Sequence, residues 1–119
     1  MNLSTILEQK QTELAPHFKP AFLQRDKAVF RFLFEDNAPF FLRVESNEFS
    51  FHEGEPDDPT LTLYVDSHDT CWQLLSGATD SMAAFMEGRY RADGHIVLSQ
   101  LLLYMFRNDS PTIAYEVQD

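Results

Sequence analysis

Phenylalanine recurs at every second position early in this chain of 119 residues, and no other feature constrains the fold as strongly. Phe30, Phe32 and Phe34 share one side of a segment that begins at Ala28, and the intervening residues take the other side. A period of two is typical of a strand with one buried face. The sequence therefore predicts a half-buried strand at this point.

Two further segments repeat this alternation after short turns. Residues 40–44 follow turn-forming residues at 36–39, and Phe49 and Phe51 follow Ser46 and Asn47. Turn residues between alternating runs predict hairpins. The simplest arrangement is a meander of three antiparallel strands.

Two more strands are expected later in the chain. The acidic loop from His52 to Pro59 leads into Thr60–Val65, where apolar and polar residues again alternate. Arg89–Asp93 alternates in the same way between Gly88 and Gly94. The neighbours of this fifth strand do not follow from the sequence.

Helical spacing and capping residues predict the first two helices. The first is expected from Thr5 to Leu14, because Thr5 and Glu8 have the spacing of a capping box. The second is expected over Ser67–Ser76, with Asp66 and Ser67 as suitable N-cap residues and Gly77 able to adopt the left-handed conformation that ends helices.

A third, short helix is predicted after Thr79 or Asp80, either of which is a suitable N-cap. Met82, Phe85 and Met86 share one face of it at helical spacing.

The last predicted helix, His95 to Arg107, is apolar nearly all round and has no obvious solvent face. A small domain buries one face of a helix against one sheet, so the remaining apolar surface needs a cover. Other helices, a partner subunit and a ligand are all compatible with this pattern.

We expect residues 1–119 to form one domain, since no Pro/Gly/Ser-rich linker interrupts them. Residues 1–25 would supply the first helix and a connector, and residues 108–119 would form a tail. Alternating apolar residues in that tail leave open whether it adds an edge strand or lies on the surface.

Net charge and cysteine content bear on the cellular compartment of the protein and on the partners it can bind. A net charge of -10 and a pI near 4.6 disfavour nucleic acid and anionic membrane surfaces, which bind basic patches. Cys71 is the one cysteine, which favours a reducing compartment. No signal sequence or membrane-spanning run is visible, so we expect a cytoplasmic protein.

The sequence offers little for catalysis. The four histidines lie far apart, which disfavours a metal site, and Cys71 falls within an apolar helical stretch typical of an inert core thiol. The glycines form no phosphate-binding loop, and no nucleophile motif is present. We therefore expect a protein that is not an enzyme and has no cofactor.

The order of these elements resembles the sterol carrier protein type 2 family over roughly Phe30 to Phe106. The resemblance lies in an acidic turn before Thr60–Leu63, a helix ending in Leu74–Gly77, and the segment Gly88–Gly94 before a final apolar helix.

This resemblance implies an α+β fold, in which helices cover one face of a curved, mostly antiparallel five-stranded sheet and an apolar cavity lies between them. It also implies binding or transfer of a lipid-like ligand, such as a sterol, a fatty acid or a fatty acyl-CoA, without chemistry. The residues expected to line the cavity are Phe32, Phe34, Trp72, Leu75, Met82, Phe85, Met86, Leu98, Leu101, Leu102, Met105 and Phe106.

A second interpretation uses the same apolar surface for a protein partner or a homodimer. The chain would then be an accessory module of a lipid or ubiquinone biosynthesis complex, because some bacterial members of the resembling family assist ubiquinone biosynthesis. Residue patterns alone do not separate a pocket wall from a dimer contact.

Overall fold

The computed structural model describes residues 2–19, 26–94 and 96–106, without the side chain of Ile96. The strands are β1 (Lys27–Phe34), β2 (Phe40–Glu45), β3 (Glu48–Glu53), β4 (Leu61–Val65) and β5 (Tyr90–Asp93). The helices are α1 (Leu3–Leu14), α2 (His68–Ser76), α3 (Ser81–Met86) and α4 (Ile96–Met105). Residues 20–25 of the predicted connector, and the predicted tail 108–119, lie outside the described residues.

The five strands form one open sheet in the order β3-β2-β1-β4-β5. The predicted meander is confirmed, because β1, β2 and β3 pair antiparallel in sequence order. Strand β4 joins the other side of β1 in parallel, and β5 pairs antiparallel with β4. The predicted fold class, α+β with a mostly antiparallel five-stranded sheet, is therefore confirmed.

Strand register places the alternating apolar residues on one face, here called the inner face. Phe30 lies opposite Leu42 on β2 and opposite Leu61 on β4, and all three side chains are buried. Helices α1, α2 and α4 contribute buried residues to the same core. Burial of apolar surface stabilises a fold by roughly 25 cal/mol per Å², so this face carries most of the stabilisation.

An aromatic cluster joins the inner face to α2. The ring of Phe40 is nearly parallel to that of Trp72, with centroids 4.9 Å apart and an interplanar angle of 8°. Phe32 packs against Phe40 at 5.2 Å, and Phe51 meets Trp72 edge-on at 5.3 Å. Offset stacked and edge-on pairs are the favourable geometries for aromatic rings.

Helix α1 begins earlier than the sequence indicated, and the predicted start at Thr5 is wrong. Asn2 is the N-cap, since its side-chain oxygen accepts a hydrogen bond from the backbone N–H of Thr5 at 2.9 Å. The hydroxyl of Thr5 also donates to that oxygen. The Asn2 oxygen satisfies one of the free N–H groups in the first turn, so a Thr5–Glu8 capping box does not set the helix start.

The caps of α2 and α3 agree with the sequence. Ser67 accepts from the N–H of Thr70 at 3.1 Å, and Gly77 ends α2 with a positive φ of 81°. Of the two candidate caps for α3, Asp80 is the one used, accepting from the N–H of Met82 at 3.1 Å.

Helix α4 has a solvent-facing side, contrary to the expectation from its composition. Val97, Gln100 and Tyr104 are exposed, at spacings of three and four residues that place them on one face. Leu98, Leu102 and Met105 are buried against the sheet and α2. Apolar composition could not reveal this side, because the exposed residues include a valine and a tyrosine. His95 and Arg107, the predicted ends of this helix, lie outside the described residues.

Truncating Phe40 should destabilise the fold strongly. Phe40→Ala removes a fully buried ring that contacts both β1 and α2, and the expected loss is about 3–5 kcal/mol of unfolding free energy. Urea unfolding followed by the fluorescence of Trp72, the one tryptophan, measures it.

Phe41→Ala is the matched control, because this neighbouring ring points to the opposite sheet face, is half-buried and stacks on exposed His52. We expect it to cost less than half as much. Equal losses for the two variants would contradict the assignment of the inner face.

Candidate functional site

A groove of about 540 Å³ opens between α3, the edge strand β5 and α4. Its lining is mainly apolar, with a few polar side chains at the rim. The lining residues are Asp80, Ser81, Met82, Phe85, Tyr90, Ala92, Ser99, Gln100, Leu103 and Tyr104. Apolar concavities with few polar groups are typical of small-molecule sites.

Helix α3 forms one wall of the groove and buries only one small side chain in the core. Ala84 is its one buried side chain, whereas Met82 is 60% and Phe85 53% exposed. Phe85 meets the ring of Tyr90 at 5.8 Å in an edge-on contact. The large side chains of α3 therefore stay available to an occupant.

The turn from α3 into β5 is fixed by Arg89. Its backbone N–H donates to the carbonyl of Ala84 at 2.9 Å, and its guanidinium donates to Thr70 at 2.8 Å and to Asp66 at 3.3 Å. Burial acts to raise the pKa of Asp66, but hydrogen bonds with Thr70 and Arg89 outweigh it and leave that pKa below its usual value. This network ties the back of the groove to α2 and β4.

Polar groups of the lining lie at the start of α3, on β5 and on α4. Tyr90 is half-buried, and burial raises the pKa of its phenol, so it stays neutral at physiological pH. Gln100 and Tyr104 lie four residues apart on one side of α4, and Gln100 is exposed. Hydroxyl and amide groups can each donate and accept hydrogen bonds, which suits an uncharged polar group on an occupant.

The structure separates the residues that the sequence assigned to the cavity wall. Met82 and Phe85 line the groove, and Met86 is exposed on the same helix outside the lining. Phe34 lines a different cleft at the end of the sheet, and Leu101 is half-buried on α4. The other seven are buried in the core: Phe32, Trp72, Leu75, Leu98, Leu102, Met105 and Phe106.

Several lining residues were not among the sequence candidates, although some signals for them existed. The alternation of β5 places Tyr90 and Ala92 on the inner side, opposite Arg91. On α4, Ser99 and Leu103 lie four residues apart and share a face. The sequence lacks any signal that brings these two elements together, because that depends on where α4 crosses the sheet.

Two other clefts of similar size have a different character. One of about 610 Å³ lies on the outer sheet face, and its lining includes Lys27, Arg43, Asp57 and Asp58. Another of about 560 Å³ lies beside Arg89 and Arg91. Charged side chains dominate the first and edge the second, so neither matches an apolar ligand as well as the groove does.

Within residues 2–19, 26–94 and 96–106, no group of three or more histidine, cysteine or acidic side chains is placed to hold a metal ion. Cys71 is 1% exposed, and burial raises the pKa of its thiol. A thiol in that state is a poor nucleophile. None of the helices in the described part of the chain is long and apolar enough to cross a bilayer.

Comparison with known proteins places this domain in a family. The model of the SCP-2 sterol transfer family matches residues 6–106, and the chain belongs to that family. The resemblance noted in the sequence is thereby confirmed. No curated protein matches the chain in sequence.

Solved structures share the fold at low sequence identity. The ubiquinone synthesis protein UbiJ-SCP2 is 13% identical, with a TM-score of 0.65 over 88% of this chain and 92% of that one. Palmitated SCP2L2 from Aedes aegypti is 18% identical, with a TM-score of 0.60 over 87% of this chain and 92% of that one.

A larger protein contains the same fold as one part. The sec-alkylsulfatase Pisa1 from Pseudomonas sp. is 18% identical over 82% of this chain, with a TM-score of 0.63. This chain spans only 16% of that enzyme. The likeness therefore concerns the fold of a small portion of the sulfatase.

Cys71 should resist thiol reagents while the protein is folded. Its burial and raised pKa leave little accessible thiolate, so we expect slow labelling by 5,5'-dithiobis(2-nitrobenzoate) at pH 8 and full labelling in denaturant. Labelling of the native protein as fast as that of free cysteine would contradict the described core.

Proposed function

We propose that this chain binds, and transfers without chemistry, a lipid-like ligand held in the groove between α3, β5 and α4. The observation that carries the proposal is the apolar lining of this groove, in which Met82 and Phe85 remain more than half exposed. Membership in a sterol transfer family supports the ligand class. Sterols, fatty acids and fatty acyl-CoA are the candidate ligands.

Burial of apolar surface would supply the binding free energy. Covering a methionine or phenylalanine side chain contributes about 1.5–3 kcal/mol, so a few such contacts give useful affinity. Methionine also adapts its shape to irregular partners. The groove lining thus favours binding of hydrocarbon chains of varied shape over a tight fit to one ligand.

The reducing cytoplasm is the proposed setting, and a buried free thiol at Cys71 is compatible with it. The proposed role is carriage. The inert environment of Cys71 supports this role over nucleophilic catalysis.

Incubation of the purified protein with a cell lipid extract, followed by native mass spectrometry, tests for a bound lipid. We expect a complex at the mass of the protein plus one lipid. A protein that stays empty, and that does not raise the fluorescence of the neutral dye Nile red, would reject the proposal.

Substitutions on α3 locate the binding site. Met82→Gln places an amide in the groove lining, so we expect Nile red affinity to fall about tenfold, or roughly 1.4 kcal/mol. Met86→Gln is the matched control, because Met86 is 78% exposed on the same helix but outside the lining. Equal effects of the two substitutions would place the ligand elsewhere.

A second candidate function, an accessory interaction module, is favoured by the concentration of exposed apolar side chains on two helices. Met82, Phe85 and Met86 on α3 and Val97 and Tyr104 on α4 are each at least 44% exposed. Exposed apolar patches of this kind also mark protein interfaces. The structural neighbour UbiJ-SCP2 is a ubiquinone synthesis protein, which supports an accessory role in biosynthesis as the alternative.

Sedimentation velocity separates the two functions. A ligand-free dimer that dissociates in Val97→Glu would favour the interaction module, because Val97 is exposed but lies outside the groove lining. We expect a monomer for the lipid carrier. A charge at Leu102 would be uninformative, since that side chain is fully buried and the variant would unfold.

A further inference from the structure

Asp80 sets the charge at the rim of the groove. Its carboxylate lines the groove and caps α3 by accepting from the N–H of Met82 at 3.1 Å, which holds it beside an apolar wall residue. The lining also contains Gln100 and Tyr104, which are polar and uncharged. A head group at the rim would therefore meet a fixed negative charge among neutral hydrogen-bonding groups.

That charge acts differently on different head groups. Two like charges about 6 Å apart in a water-like medium repel by about 0.7 kcal/mol, which corresponds to about threefold in affinity. The net charge of -10 acts in the same direction. An uncharged hydroxyl or carbonyl avoids this repulsion and can pair with amide and phenol groups of the rim.

We infer that Asp80 is a specificity-determining residue, through which the groove favours lipids with an uncharged head group over the same chain carrying a carboxylate or phosphate. This inference rests on the proposed function. It narrows the ligand class to neutral lipids such as sterols or long-chain alcohols, and it disfavours fatty acids and acyl-CoA.

Competition against Nile red with two ligands of identical chain, oleyl alcohol and oleate, tests the inference at low and at high ionic strength. We expect oleyl alcohol to displace the dye at about threefold lower concentration than oleate at low salt. This difference between the displacing concentrations of the two ligands, the gap, should narrow at high salt, because exposed charges are screened.

Asp80→Asn removes the charge and keeps the cap, since asparagine and aspartate are equally good N-cap residues. We expect this variant to bind oleate more tightly relative to oleyl alcohol, which closes the gap. Asp57→Asn is the matched control, because it makes the same change in net charge in the loop that borders the outer-face cleft. It should leave most of the gap in place.

The outcomes are distinguishable. Equal affinities for the two ligands in the wild-type protein, or a gap that Asp80→Asn leaves unchanged, overturn the role of Asp80 and leave lipid binding intact. If Asp57→Asn closes the gap as fully as Asp80→Asn does, the discrimination arises from net charge, and the role of Asp80 is also overturned. Failure of both ligands to displace the dye rejects lipid binding in the groove, and this inference with it.

Discussion

Stacking of Phe40 on Trp72 joins the sheet to α2, and α4 packs in turn against α2. The two rings lie 4.9 Å apart and nearly parallel, with Phe32 and Phe51 packed around them. Once α2 is fixed, α4 can bury only one side against α2 and the sheet. Its other side, with Val97 and Tyr104, is left facing outward.

The groove follows from how little α3 contributes to the core. This helix is six residues long and buries Ala84, while its larger side chains stay exposed. The network of Arg89, Asp66 and Thr70 holds the adjoining turn in place. The fold thus presents an apolar wall that core packing does not use and that is therefore accessible to a ligand.

Patterns among residues close in sequence predicted those elements of the structure that depend on local interactions. Alternation of phenylalanines specified β1 to β3, since a one-residue slip would turn Phe30 and Phe32 outward. Ser67 and Asp80 were each one of two neighbouring cap candidates in the sequence, because capping depends on residues two or three positions apart. The start of α1 was misplaced, since Thr5 and Asn2 are both residue types that cap helices and only the folded backbone shows which one is used.

The groove was harder to predict from the sequence. In α4, Leu98 and Val97 look alike in sequence, yet one is buried and the other exposed, because the crossing position of the helix is set by distant contacts.

Methyl NMR of selectively labelled methionine tests the central claim, that a lipid occupies the groove and leaves the core closed. Three methionines occupy distinct settings: Met82 lines the groove, Met86 is exposed outside it, and Met105 is fully buried. On titration with oleyl alcohol, we expect the Met82 signal to shift while those of Met86 and Met105 stay in place. A large shift at Met105 with Met82 unchanged would put the ligand between the sheet and the helices and contradict the claim.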